Sequence, residues 1–305
     1  MYDLIIIGGG PGGVAAGVYA DRKKLKTLLI TDEFGGQSKV SDEIQNWIGT
    51  KSISGFDLSK SLEEHLRAQK EIEISDDDLA LSVAKIDGGF EVNTRKGKKY
   101  QTKTILIVSG SHHKQLGVPG EDKFNGKGVA YCSTCDAPLF AGKEMAVAGG
   151  GNSALEAVVD LLPYATKVYL LVRSDKLKGD PVTQDQIKAS GKVQIIFNAE
   201  VQEISGDAFV DGIKYLDKTS NSVRELLVGG IFVEIGSAPN SDFIKGMVDL
   251  NEYGYVVVDS KNQRTSTPGI WAAGDITDLP FRQNNISAGD SVKALLDLYN
   301  YLNGR

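Results

Sequence analysis

The sequence predicts an α/β protein of two Rossmann-like domains, each with a parallel sheet and an antiparallel meander. Three observations carry that prediction. A short apolar run breaks into Gly8, Gly10 and Gly13, spaced G-x-G-x-x-G, and a second breaks into Gly149, Gly151 and Ala154, spaced G-x-G-x-x-A. The chain has 305 residues, 41% of them apolar, which is enough for a core in each of two domains. A strand, a glycine turn and a helix in that order bind dinucleotides for a physical reason. The glycines let backbone approach a pyrophosphate, and the amides of the helix N-terminus face it.

Taken in order, residues 2–7 form a nearly continuous apolar run, as in a parallel strand buried on both faces. The first glycine turn follows, then a helix over 14–20 and a strand over 27–30 that ends at Thr31, Asp32 and Glu33. An acid about 20 residues past the glycines is placed to hold ribose hydroxyls. Gly35, Gly36 and Gln37, and later Asn46-Trp47-Ile48-Gly49, read as loops, which either line a flat aromatic ligand or simply pack. Leu58, Leu62 and Leu66 recur at helical spacing within 58–69, with His65 on the helix surface. Residues 73–103 are polar and alternating, with turns at Gly88-Gly89 and Lys96-Gly97-Lys98, and read as an antiparallel meander. Residues 104–108 return to a buried strand that ends at Ser109-Gly110.

The second signature repeats the first, with a strand over 144–148, a helix over 153–162 and a strand over 168–172. Beyond that strand, an acid would favour NADH and basic residues the phosphate of NADPH. Arg173, Lys176 and Lys178 either meet such a phosphate or form plain charged surface. The apolar run 229–236 ends in Ser237-Ala238-Pro239-Asn240, a place for the chain to cross between domains. Strands are expected at 256–258 and 269–273, the latter stopping at Gly274-Asp275, where a carboxylate suits a ligand hydroxyl. An amphipathic helix over 286–302 is expected to pack on the first domain.

Between the two signatures lies YCSTCDAPLF, which holds the only two cysteines, Cys132 and Cys135, with Asp136 directly behind them. The spacing lets the sulfurs meet without moving the backbone. A helix N-terminus there would lower a thiol pKa and favour the attacking thiolate, while Asp136 offers a proton-transfer group. Two rival readings remain beside a redox dithiol. Zinc wants four ligands, yet there is no second cysteine pair and the histidines are only His65, His112 and His113, so no metal is expected. A purely structural disulphide would close a very short loop and stabilise little.

Composition narrows the partners. A net charge of −6, with no basic run interleaved with aromatics, argues against nucleic acid. No apolar run approaches the ~20 residues a membrane span requires. The first residues break into glycine after the apolar run 2–7, as a strand does and a signal peptide does not, and two cysteines suit a reducing cytoplasm.

With these motifs in order, the chain resembles the low-molecular-weight thioredoxin reductases over essentially its full length. The resemblance rests on GGGPGG from Gly8, GGQ from Gly35, VPGE from Val118, CSTCD from Cys132, GGGNSALE from Gly149, AAGD from Ala272 and FRQ from Phe281. It implies an FAD domain of residues 1–114 and 241–305, with an NAD(P)H domain of residues 115–240 inserted and carrying the dithiol. FAD would be held by Gly8, Gly10, Gly13, Asp32, Glu33, Gly36, Gln37, Asn46, Gly110, Gly274, Asp275, Arg282 and Gln283. NADPH or NADH would be held by Gly149, Gly151, Asn152, Ser153, Arg173 and Lys178. The implied reaction passes electrons through flavin to the dithiol, with Cys135 facing flavin, Cys132 exchanging with the partner and Asp136 as acid and base. A domain rotation on linkers near Gly117 and Ser237, and a homodimer, are also implied.

Within that family the nearest likeness is to the reductase half of the alkyl hydroperoxide reductase flavoprotein subunit. Asn46-Trp47-Ile48, Lys178-Gly179-Asp180, Ala137-Pro138-Leu139-Phe140 and Gly230-Ile231-Phe232-Val233 follow that pattern. The N-terminal thioredoxin-like region of that subunit is missing from this sequence, so the disulphide partner is expected to be a separate thioredoxin-like or glutaredoxin-like protein. Val172, Arg173, Ser174 and Lys178 stand where thioredoxin reductases carry a His-Arg-Arg and a later Arg, so half of the phosphate clamp is kept. Val172 also stands where NADH-using relatives place an acid. Two alternatives stay open on that account: a related flavoprotein fed by ferredoxin or another donor, and a non-catalytic redox sensor.

Overall fold

The computed structural model describes residues 1–41 and 43–305. The chain divides into two compact units, Met1–His112 with Ala238–Arg305, and His113–Ser237. The first opens with β1 (Tyr2–Gly9), α1 (Pro11–Arg22), β2 (Thr27–Phe34), α2 (Gly55–Arg67), β3 (Ile72–Ser75), β4 (Ala80–Ile86), β5 (Gly89–Thr94) and β6 (Lys99–Ile107), and leaves by β7 (Ser111–His113). The second contains β8 (Val129–Ala130), α3 (Ser133–Asp136), β9 (Glu144–Ala148), α4 (Asn152–Leu161), β10 (Lys167–Val172) and α5 (Pro181–Ala189). It continues with β11 (Val193–Phe197), β12 (Ala199–Gly206), β13 (Val210–Asp217), β14 (Ser222–Leu227) and β15 (Ile231–Val233). The chain returns by β16 (Ser237–Pro239) to β17 (Ile270–Ala272) and α6 (Asn284–Leu302).

In the first unit β1 lies between β2 and β6, parallel to both, so its side chains are covered on two faces. That is why residues 4–7 read as unbroken apolar sequence: Leu4 and Ile6 join the core under α1, α2 and α6, while Ile5 and Ile7 join the core of the opposite face. Leu58, Leu62 and Leu66 bury the expected stripe of α2, whose Ser54 hydroxyl caps the Asp57 amide at 3.0 Å. The helix predicted for the tail packs on α1, with Ala294, Leu295 and Leu298 fully buried. Strand β6 serves two neighbours in succession: Lys99 to Thr102 pair antiparallel with β5, and Ile105 to Ile107 pair parallel with β17.

Three expectations are corrected here. Ile72–Ser75 is a parallel edge strand on β2, and only β4 to β6 form the antiparallel meander. Gly36–Val40 is a 3-10 turn rather than a loop, because Gly35 adopts a positive φ of 88° and turns the chain against Ser59 of α2. Residues 256–258 make no strand. Val256 makes isolated bridges to Leu250 and Thr277, while the amide of Val258 is taken by the Asp278 carboxylate at 3.2 Å.

The second unit has a five-stranded parallel sheet, ordered β11-β10-β9-β15-β8, and a separate antiparallel sheet, β12-β13-β14. Strand β9 alternates between two cores. Met145 and Val147 meet Ala154, Val158 and Leu161 of α4, whereas Ala146 and Ala148 meet Val201, Ile213 and Tyr215 of the antiparallel sheet. The first crossing falls at His112 and His113, upstream of the linker expected near Gly117. The Gly117 amide donates to the buried Glu121 carboxylate at 2.7 Å, beside that of Leu116 at 2.9 Å. Among the described residues no helix is long and apolar enough to cross a membrane.

Candidate active site

Cys132 and Cys135 are joined as a disulphide, their Cα atoms 5.3 Å apart. Strand β8 delivers them to the C-terminal end of the second unit's parallel sheet, where open α/β sheets bind their ligands. The Cys132 carbonyl accepts from the amides of Cys135 at 3.2 Å and Asp136 at 3.0 Å, which makes Cys132 the cap of α3. The helix N-terminus expected at this point therefore exists, but it is a single turn. Both residues between the cysteines are held from outside: Ser133 Oγ and Thr134 Oγ1 donate to Asp160 Oδ2 at 2.7 and 3.3 Å. Asp136 is half-buried behind the disulphide. Tyr131 stacks on His113 at 5.5 Å and donates its hydroxyl to Glu121 at 2.9 Å. Burial, then the Glu121 carboxylate, push that phenol well above its usual range and keep it neutral.

The second glycine turn lies in the same unit, at the end of β9. A side chain on Gly149 would strike the Glu234 carbonyl, whereas nothing approaches the Cβ position of Gly151, which caps α4. The segment after β10 folds back over this turn. Lys178 N donates to the Gly150 carbonyl at 2.7 Å, and Asn152 Oδ1 accepts from the Asp180 amide at 2.7 Å. Asn152 thus spends its carbonyl on the chain. Arg173, Lys178 and Ser153 are exposed, and Val172 is buried beneath Gly150.

One group here was missed by sequence reasoning. Glu234 follows β15, and burial, then the neighbouring Asp160 and Glu156, push its carboxyl up to about 8. The available signal was an acid at the end of the apolar run 229–236. Below its ordinary value near 4.5 both folded and unfolded chains hold the proton; as pH rises to about 8 only the unfolded chain ionises freely, so stability falls and then levels off. Glu234→Gln should therefore raise the unfolding free energy at pH 9 by several kcal/mol and leave it nearly unchanged at pH 4. Urea unfolding at both values checks this.

The first glycine turn is built more tightly. Gly8 has a φ of 122° and lies on the Val108 carbonyl, and a side chain on Gly13 would collide with the Gly8 carbonyl. Gly10 and Gly110 face open space. Asp32 and Glu33 end β2 as expected, but as ion pairs, with Arg95 and with Lys39 at 2.6 Å respectively. The Gln37 amide donates to the Ser111 carbonyl. Asn46 and Gln283, far apart in sequence, meet at 3.2 Å, and Asn285 Nδ2 donates to the Asn46 carbonyl at 2.7 Å. Gly274 turns at a φ of 72° against Ser287 and presents Asp275, whose carboxyl burial raises while Arg282 opposes. Arg282 lies over the Tyr255 ring at 4.5 Å. Its Nε, and Ser291 Oγ beneath Gly12, are buried without a hydrogen-bond partner among the described residues. An open glycine cradle with unspent buried donors fits a bound dinucleotide.

The family described as pyridine nucleotide-disulphide oxidoreductase matches residues 2–290, both glycine turns and the dithiol included. The chain belongs to that family. A pyridine nucleotide-disulphide oxidoreductase uses FAD and NAD(P)H, and this one shares the fold of the thioredoxin reductases. The crystal structure of thioredoxin reductase from Streptococcus pyogenes superposes with a TM-score of 0.93 at 32% identity, covering 100% of this chain and 99% of that one. A subunit of the Escherichia coli alkyl hydroperoxide reductase is 37% identical over 305 residues, 99% of this chain and 58% of the relative. A protein named NADH dehydrogenase in Bacillus subtilis is 38% identical over 301 residues, again 99% of this chain and 58% of the relative. The chain thus spans little more than half the length of those two relatives.

Proposed function

We propose that the protein is a thioredoxin reductase-like enzyme that passes electrons from NAD(P)H, by way of FAD, to the Cys132–Cys135 pair and on to the disulphide of a separate thioredoxin-like or glutaredoxin-like protein. The observation that carries this reading is the disulphide itself, set at the ligand-binding end of the sheet that also bears the second glycine turn. FAD would be held in the first unit by Gly8, Gly10, Gly13, Gly36, Gln37, Asn46, Gly110, Gly274, Asp275, Arg282 and Gln283, with Asp32 and Glu33 at the ribose end. The pyridine nucleotide would be held in the second by Gly149, Gly151, Asn152, Ser153, Arg173 and Lys178. The chemistry that flavin supplies when bound is the two-electron exchange between a pyridine nucleotide and a disulphide. The chain's own part is to orient the pair, to keep Cys132 and Cys135 within bonding reach of each other, and to move protons at sulfur through Asp136. Thiolate attack on the partner's disulphide gives a mixed disulphide, and the second thiolate resolves it, so both cysteines are required. We place the reaction in the cytoplasm and the working form as a homodimer. The test is turnover of thioredoxin or glutaredoxin disulphides by the FAD-reconstituted protein with NADPH or NADH.

Nicotinamide preference follows from the strand end. Charge-assisted bonds to a phosphate are worth ~1.5 to 3 kcal/mol each, and Arg173 and Lys178 are exposed and able to supply part of that. Val172, 1% exposed, offers no carboxylate to ribose hydroxyls. Weak discrimination and a high KM for both nucleotides are expected, and Ser174→Arg should lower the KM for NADPH about tenfold while leaving NADH nearly unchanged. A preference of several hundredfold in the wild type would refute the clamp argument. If neither nucleotide serves while ferredoxin does, the donor is the ferredoxin-type one.

A further inference from the structure

We infer that Asp160 is the positioning residue of the dithiol turn, fixing Cys132 and Cys135 through the two hydroxyls that lie between them. The inference deepens the reading above, since it concerns the same exchange reaction. A single helical turn such as α3 is unfavourable alone: it fixes several dihedrals for one or two hydrogen bonds. Here those are the amides of Cys135 and Asp136 on the Cys132 carbonyl. The remaining order has to come from outside the turn. Ser133 Oγ and Thr134 Oγ1 both donate to one oxygen, Asp160 Oδ2, at 2.7 and 3.3 Å, so the whole spacer of the C-x-x-C is tied to one carboxylate. Asp160 is carried by α4, the helix that Gly151 of the second glycine turn caps, and Ala154, Leu155, Val158 and Leu161 bury the other side of that helix in the core. The tie therefore runs from the dithiol to a rigid element. It also commits both hydroxyls away from the sulfurs, so neither is free to donate to a thiolate.

Removing Asp160 takes the anchor from the closed turn, which favours the dithiol over the disulphide, and removing the two hydroxyls breaks the same tie from its other end. Asparagine keeps the anchor, since its Oδ1 can accept from both hydroxyls without the charge.

The test is the equilibrium of the purified chain with dithiothreitol buffers at fixed pH, read by alkylation and mass spectrometry. In that reaction two electrons and two protons pass to the sulfurs of Cys132 and Cys135 while dithiothreitol closes to its cyclic disulphide. Asp160→Ala should shift the midpoint ratio about tenfold toward the dithiol, and Asp160→Asn should stay within about twofold of the wild type. The double variant Ser133→Ala/Thr134→Ala should reproduce the alanine effect, and adding Asp160→Ala to it should change nothing further. No shift in Asp160→Ala, an equal shift in Asp160→Asn, or additive effects in the combined variant would each overturn the inference. The double variant alters only two small hydroxyls, which keeps the comparison valid if Asp160→Ala folds poorly. The proposed electron route is tested separately: a wild type that fails with NAD(P)H and protein disulphides would sink that route and leave this equilibrium measurable.

Discussion

Serine at Cys132 or Cys135 abolishes reduction of a protein disulphide, by at least about a thousandfold, while flavin reduction by an artificial donor stays within about twofold of the wild type. The expectation follows from the electron count. A protein disulphide takes two electrons, and a lone thiol can attack it but has no neighbour to release the mixed disulphide. The two cysteines are the only ones in the chain, so nothing can substitute. Flavin reduction depends instead on the glycine turns, which neither serine touches. Stopped-flow absorbance with the artificial donor, beside turnover of a thioredoxin disulphide, measures both. Retained turnover in either variant would mean that the pair is structural.

Asp275→Ala sheds FAD, with retention weakened by roughly ten- to a hundredfold. Asp275 is held at the end of β17 by the turn at Gly274, and its carboxyl is largely buried, raised by that burial and opposed by Arg282. A buried carboxyl placed beside an open glycine cradle stabilises little in the free chain. Its hydrogen bonds to a ligand are worth ~1.5 to 3 kcal/mol, the difference the substitution removes. The variant should purify paler than the wild type and take up FAD only at higher concentration, as fluorescence titration would record. Equal FAD affinity in the two proteins would place the cofactor elsewhere.

The parts of the fold legible in the sequence were those where local chemistry has one solution. Residues 4–7 are apolar throughout because β1 is covered on both faces, and Gly13 is glycine because the Gly8 carbonyl leaves no room for a side chain. The spacing of Leu58, Leu62 and Leu66 marked α2 for the same reason. Where exposure blurs the pattern the reading stopped short. Strand β14 is almost wholly exposed, and α5 buries only Ile187, so neither shows a periodicity to recognise. The strand expected at 256–258 failed because three valines in a row signal a strand only if neighbours supply a ladder, and here a carboxylate takes one of the amides.

In the candidate site the cysteines and both cradles were visible as motifs, but the residues that support them were not. Asp160 and Glu234 reach the dithiol unit from positions 25 or more residues away along the chain, as side chains of a helix and a strand end whose sequences read as ordinary amphipathic and apolar segments. Asn46 and Gln283 were expected as ligand contacts; their pairing with each other across the sequence needed the fold. Asp32 and Glu33 stand where the pattern placed them, yet each is already engaged with a cation, which no spacing rule encodes.

The most direct test of the central claim is an anaerobic titration of the FAD-reconstituted protein with NADPH and with NADH, followed by addition of an oxidised thioredoxin. The account predicts loss of the flavin absorbance with both nucleotides at comparable, high concentrations, recovery of that absorbance when the protein disulphide is added, and appearance of two thiols on the partner. A protein that takes up no FAD, or whose flavin is reduced yet never reoxidised by a protein disulphide while Cys132 and Cys135 remain bonded, would contradict it.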